Sequence, residues 1–201
     1  FRTWDLHGVY PKILDDPKIG STASSLFLDA KKMLEKILSD QIIKAKAVIG
    51  FWPAASVNDD IIIYEDETRS IVKTKFQTLR QQMDRVKNRP NFALSDFIQK
   101  VNEKNDYIGC FTVTCGIGED RALNEFKQKN DDYSIIMIKA LTDRLAEAFS
   151  EKMHELVRKI YWGYSPNENL DNEDLINEKF IGIRPAPGYP AQPDHTEKKT
   201  L

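Results

Sequence analysis

Long apolar runs are missing from this 201-residue chain. No stretch approaches the roughly 20 apolar residues that a membrane-spanning helix needs, and the opening Phe1-Arg2-Thr3-Trp4-Asp5 is not the apolar run of a secretion signal. An excess of one charge is missing too: 29 Lys and Arg stand against 31 Asp and Glu, a net charge of −2. Without a basic stripe, nucleic acid is not an expected partner, and neither is a membrane. Cysteine is scarce. The two thiols, Cys110 and Cys115, lie five apart on what reads as one strand, and an odd separation sends them to opposite faces, which argues against a bond between them. They lack the short C-x₂₋₄-C spacing and the second Cys or His pair of a zinc site, so core thiols in a reducing cytoplasm are expected. His7, His154 and His195 have no nucleophile motif beside them and read as surface residues.

What is present is periodicity. Leu26, Phe27, Ala30, Met33, Leu34, Ile37 and Leu38 make the stripe of an amphipathic helix over about 21–38. Ala47 to Trp52 reads as a strand stopped by Pro53, and Asp60 to Tyr64 as a second, antiparallel to it across the polar turn at Ser56 to Asp59. Ser70 to Phe76 is β-branched enough for a third, after which Leu79 to Met83 drifts toward helix formers, and Tyr107 to Thr114 is the clearest strand. The longest helix is expected over about 134–162. Its stripe is Ile138, Leu141, Leu145, Phe149, Met153, Leu156 and Ile160, with Arg144, Glu147, Glu151, His154, Glu155 and Arg158 facing outward. Asp171, with Asp174 three residues on, predicts a capped short helix. Strands with short connections beside separate long helices predict one α+β domain with a mainly antiparallel twisted sheet.

Three features invite a chemical reading. Gly116-Ile117-Gly118 follows a strand and precedes a helix from Glu119 to Lys129, but the third glycine of a dinucleotide loop is replaced by Arg121, so a structural turn is the better account. Glu147, Glu151 and Glu155 repeat every four residues, as a solvated face does; a cation-binding face is the other reading. Between Ile181 and Pro193, four prolines and two glycines occupy thirteen residues, which excludes regular structure and makes a stiff, shaped loop. That loop is either a structural crossover or polyproline docking segment, or a rigid frame that presents the planar cation of Arg184 and the ring of Tyr189 to a small acid.

Arg184-Pro185-Ala186-Pro187-Gly188-Tyr189-Pro190, continuing through Pro193-Asp194-His195-Thr196-Glu197-Lys198, resembles the R-x-x-x-G-Y motif of the activation domain of cobalamin-dependent methionine synthase. Other blocks in the same order carry the likeness along the chain: Thr3-Trp4 with Gly8-Val9-Tyr10-Pro11, Gly50-Phe51-Trp52-Pro53-Ala54, Leu79-Arg80-Gln81-Gln82, Asp131-Asp132-Tyr133, Asp143 to Phe149 and Tyr161-Trp162-Gly163-Tyr164. The resemblance implies that residues 1–201 are an S-adenosylmethionine-binding reactivation module of a larger cytoplasmic methyltransferase (EC 2.1.1.13), not catalytically complete alone. Homocysteine with its zinc, methyltetrahydrofolate and cobalamin would belong to neighbouring domains, and flavodoxin or an equivalent reductase would supply an electron when cob(II)alamin is remethylated. By position, Arg184 engages the methionine carboxylate, the backbone at Ala186 and Gly188 contacts the ligand, Tyr189 lines the site and Glu147 adds its carboxylate; no catalytic or metal-ligating residue is implied. An acidic ligand residue before Phe1 and a tyrosine segment beyond Leu201 are expected to lie outside the chain, whose start without Met and stop after Asp194-His195-Thr196-Glu197 suggest an excised piece. A free-standing S-adenosylmethionine-binding regulator and a protein-docking module are the alternatives.

Overall fold

The computed structural model describes residues 1–84 and 89–200, which divide into two compact units. The first comprises residues 1–47 and 113–157, the second residues 48–112 and 158 onward. In chain order the regular elements are α1 (Gly20–Ser39), β1 (Lys44–Val57), β2 (Asp60–Tyr64), β3 (Val72–Gln77), β4 (Asp106–Ile117), α2 (Glu119–Gln128), α3 (Asp132–Leu156) and α4 (Asn172–Ile176). The strands form one sheet in the order β3-β2-β1-β4, with β1–β2 and β2–β3 antiparallel, so the α+β architecture read from the pattern is the one found.

In the first unit the apolar stripe of α1 does what its spacing requires. Ala23 and Leu26 pack with Leu6, Ile13 and Met137, while Ile37 joins Ala122, Leu123 and Ile138. Burying each leucine, isoleucine or methionine among them contributes about 1.5–3 kcal/mol. The carboxylate of Asp131 accepts from the Ser134 amide at 3.0 Å and starts α3 two residues before the expected point. Gly118 is the structural turn that its neighbours suggested: it sits at φ 97 just before α2, and a Cβ there would lie 2.8 Å from the Ile42 carbonyl oxygen.

The core of the second unit is Ala54, Ile61, Ile63, Phe76 and Ile108. The β1–β2 hairpin closes on Asn58-Asp59, with Val57 opposite Asp60 and Asn58 at φ 55, the left-handed conformation that asparagine tolerates in two-residue turns. Contrary to expectation, β1 does not stop at Pro53. Pairing with β2 begins at Ala54, so the missing amide of the proline falls outside that ladder and costs it nothing. Residues 78–84 form no helix. Arg80 holds this stretch instead, donating to both oxygens of Asp96 at 2.6 and 2.8 Å, to Asp59 at 2.5 and 3.2 Å, and to the Asn91 carbonyl at 2.8 Å.

The end of the long helix also departs from the pattern. After Leu156 the chain makes a π turn, Val157–Tyr161, which inserts an extra residue and rotates the side chains beyond it about the helix axis. Ile160, expected in the buried stripe, is 66% exposed, whereas Arg158, expected outside, is fully buried. His154 is buried as well, at 4% exposure, and is not the surface histidine expected.

Candidate functional site

The proline-rich segment follows α4 and belongs to the second unit. Its entrance is fixed by two side chains from the stretch after α3. Arg158 makes a two-pronged ion pair with Glu168, Nε to Oε2 at 2.8 Å and Nη2 to Oε1 at 2.6 Å, and its guanidinium lies over the Phe180 ring at 4.6 Å. The Tyr164 hydroxyl donates to the Ile181 carbonyl at 3.2 Å, and Gly182, at φ 97, leaves that hydroxyl room that a Cβ would occupy at 2.8 Å. Burial raises the Tyr164 phenol above its ordinary pKa, so it stays a donor at neutral pH.

Beyond Ile183 the loop folds into two consecutive turns. The Tyr189 amide donates to the Ala186 carbonyl at 3.1 Å, with Pro187 and Gly188 between them and Gly188 at φ 98; this is a type II turn, whose second central residue must take positive φ. The Gln192 amide then donates to the Tyr189 carbonyl at 2.9 Å across Pro190-Ala191, and the Gly188 amide donates back to the Gln192 carbonyl at 2.7 Å. The proline spacing thus has a local reason. Pro187 and Pro190 each take the second position of a turn, where a fixed φ helps and no amide is needed.

Of the sequence-predicted site residues, the loop itself brings Arg184, Ala186, Gly188 and Tyr189 together. Arg184 is half-buried, Ala186 is exposed, and Tyr189 is 64% exposed with its ring available as a flat wall. Glu147 belongs to the first unit, midway along α3, where its Oε1 pairs with the Arg144 Nη2 at 2.8 Å with both side chains mostly exposed. An apolar hollow of about 450 Å³, lined by residues including Ile37, Ile43, Cys115, Leu145 and Phe149, also lies in the first unit and includes none of the loop residues. Among the described residues no group of three His, Cys, Asp or Glu is placed to hold a metal ion.

Two residues of this loop region escaped sequence reasoning. Gln192 is 3% exposed and sends its side-chain amide to the Gln77 carbonyl, at the end of β3, at 3.3 Å. His195 stacks its imidazole on Gly188 so closely that a Cβ there would meet the ring at 2.0 Å. Only the second left a trace in the sequence: Asp194 and Thr196 form a side-chain turn, Oδ1 accepting the Thr196 amide at 2.8 Å, and that turn fixes the backbone of the histidine between them.

The double turn over residues 186–192 presents an exposed phenol at Tyr189, and Arg184 precedes it by two residues. All of residues 1–201 match the profile of the family described as vitamin B12 dependent methionine synthase, activation domain, and the chain belongs to that family. It is similar to a solved structure described as the MetH reactivation domain bound to AdoHcy, with 52% sequence identity and a TM-score of 0.93. The match covers 100% of this chain and 62% of that one, so this chain spans about three fifths of its relative's length.

Proposed function

We propose that residues 1–201 act as the S-adenosylmethionine-binding activation domain of a cobalamin-dependent methionine synthase. The relative's bound AdoHcy differs from S-adenosylmethionine by one methyl group, and the donor set of this loop suits the shared part of the two molecules. Arg184 supplies a planar guanidinium that matches a carboxylate in two-pronged geometry. Ala186 uses its carbonyl within the turn. Gly188 takes the positive φ that the turn needs, and the room its missing side chain leaves is filled by the His195 ring, so the ligand contact proposed for it is to its backbone. Tyr189 offers its exposed ring as one wall.

When bound, S-adenosylmethionine supplies a sulfonium-activated methyl group. The contribution of this chain is to hold the methionyl end by Arg184, to fix the ligand's orientation on the double turn, and to present it to cobalamin on a neighbouring domain of the parent enzyme. Flavodoxin or an equivalent reductase is the proposed electron source, the cytoplasm the proposed location, and EC 2.1.1.13 the activity of the whole enzyme. The observation that carries this reading is Arg184 at the head of the Ala186–Tyr189 type II turn.

The test is calorimetric titration of S-adenosylmethionine into the parent enzyme carrying Arg184→Ala or Arg184→Lys. Losing a charge-assisted hydrogen bond typically costs about 1.5–3 kcal/mol, so roughly tenfold to hundredfold weaker binding is expected, with no rescue by Lys. Unchanged affinity in both variants would remove Arg184 from the site. No binding even to the unaltered enzyme would leave a protein-docking role for the loop.

A further inference from the structure

The double turn has little backbone with which to hold itself against the rest of its unit. Prolines 185, 187, 190 and 193 have no amide hydrogen, and the amides of Gly188, Tyr189 and Gln192 are consumed inside the two turns. Gln192 stands at the junction. Its backbone closes both turns, taking the Gly188 amide on its carbonyl and giving its own amide to Tyr189, while its buried side chain reaches across 115 positions of sequence to the carbonyl of Gln77 at the end of β3. The Gln77 carbonyl can only accept, so the side-chain nitrogen of Gln192 must face it, which fixes the amide's orientation. The side-chain oxygen of Gln192 is then buried without a hydrogen-bond partner among the described residues. Such an arrangement costs stability and persists where the position is held for another reason. On the other side of the turn, His195 packs against Gly188, and the Lys198 ammonium donates to the His195 Nδ1 at 3.1 Å. The turn is therefore gripped between a strand end and an imidazole.

We infer that Gln192 is the positioning residue of the ligand loop: through its bond to Gln77 it holds the Gly188-Tyr189 turn, and with it the ligand-facing backbone and the Tyr189 ring, in the binding geometry. This rests on the ligand reading proposed above and assigns Gln192 no contact with the ligand.

Two variants of nearly the same size test it. Gln192→Glu sets a carboxylate oxygen against the Gln77 carbonyl, and Gln192→Met removes the donor while sparing the volume. Both are made in the parent enzyme and read in two ways: amide hydrogen exchange across 184–193 without ligand, and titration with S-adenosylmethionine. The expected result is faster exchange at Gly188, Tyr189 and Gln192 with the strand and helix amides unchanged, together with affinity lower by roughly threefold to tenfold and the larger effect in Gln192→Glu. Unchanged exchange in both variants overturns the inference. So does faster exchange with undiminished affinity, and so does lost affinity with unchanged exchange, which would make Gln192 a direct ligand contact. If the unaltered enzyme binds no S-adenosylmethionine while the variants still loosen the turn, the ligand reading fails and the bracing of the turn by Gln192 stands.

Discussion

Single side chains in this protein divide into those that hold the frame and those free to act. Glu147 is of the second kind. Its pair with Arg144 is solvent-exposed, and such pairs contribute little to folding. Glu147→Gln is therefore expected to leave the melting temperature nearly unchanged while weakening S-adenosylmethionine binding, whereas Glu155→Gln, which breaks the pair between half-buried Glu155 and Lys152, should leave binding alone. Thermal melts and titrations side by side decide it; equal melts with unchanged binding in both would return Glu147 to an ordinary solvated helix face. Asp96 is of the first kind. The Arg80 guanidinium beside it holds its carboxyl below the usual carboxylate range. A carboxyl whose folded pKa is depressed contributes stability that is present above its unfolded pKa, about 3.9, and is lost as pH falls through the lower folded value. Urea denaturation should accordingly show Asp96→Asn less stable than the parent sequence at pH 6, with the gap closing as both are taken below about pH 4.

At the scale of elements, what repeats along the chain was readable and what joins distant parts was not. The stripes of α1 and α3, the apolar run of β2 and the capped start of α4 are local patterns, and local sequence determines them. The proline segment was legible as a stiff loop because proline and glycine act on their own backbone. The π turn after α3 left no such mark, since Val157 to Tyr161 contains no residue that forbids an ordinary helix; its consequence, the exchange of Ile160 for Arg158 in the interior, comes from one extra residue per turn. The bond from Gln192 to Gln77 was invisible for the same reason, being a contact between segments far apart in sequence. The Arg158–Glu168 pair shows how much hangs on that turn. With side chains 0% and 6% exposed, removing either partner leaves a buried charge unmatched, and Glu168→Leu or Arg158→Met alone is expected to cost about 3–5 kcal/mol in urea denaturation, with the double variant costing less than either. A double variant as unstable as the sum of the two would mean that the charges are not what the site requires.

Across the whole molecule, the division into two units cuts through elements and not between them. The boundaries fall at 47/48 within β1, 112/113 within β4 and 157/158 at the end of α3, so no linker composition announces them, and reading domains from proline, glycine or charge runs had nothing to find. Glu147 belongs to one unit and the Arg184 loop to the other. If the proposed role is right, Arg184→Ala in the complete enzyme should spare methyl transfer from methyltetrahydrofolate, which belongs to other domains, and abolish recovery after the cofactor is oxidised at ordinary S-adenosylmethionine levels. Turnover assays begun with reduced and with oxidised enzyme separate the two; normal recovery in the variant would detach reactivation from this loop.

The two cysteines settle a practical matter. Burial pushes the Cys110 thiol up to about 11 and raises that of Cys115, so at neutral pH neither carries an appreciable thiolate, the form that reacts with maleimides and iodoacetamides. Both native thiols are therefore expected to react slowly with thiol dyes at neutral pH. A single cysteine introduced at exposed Ala186 would then take a fluorophore alone, and a brief labelling reaction at pH 7 would yield one dye per molecule without first replacing either native residue, giving the loop an optical reporter of its own.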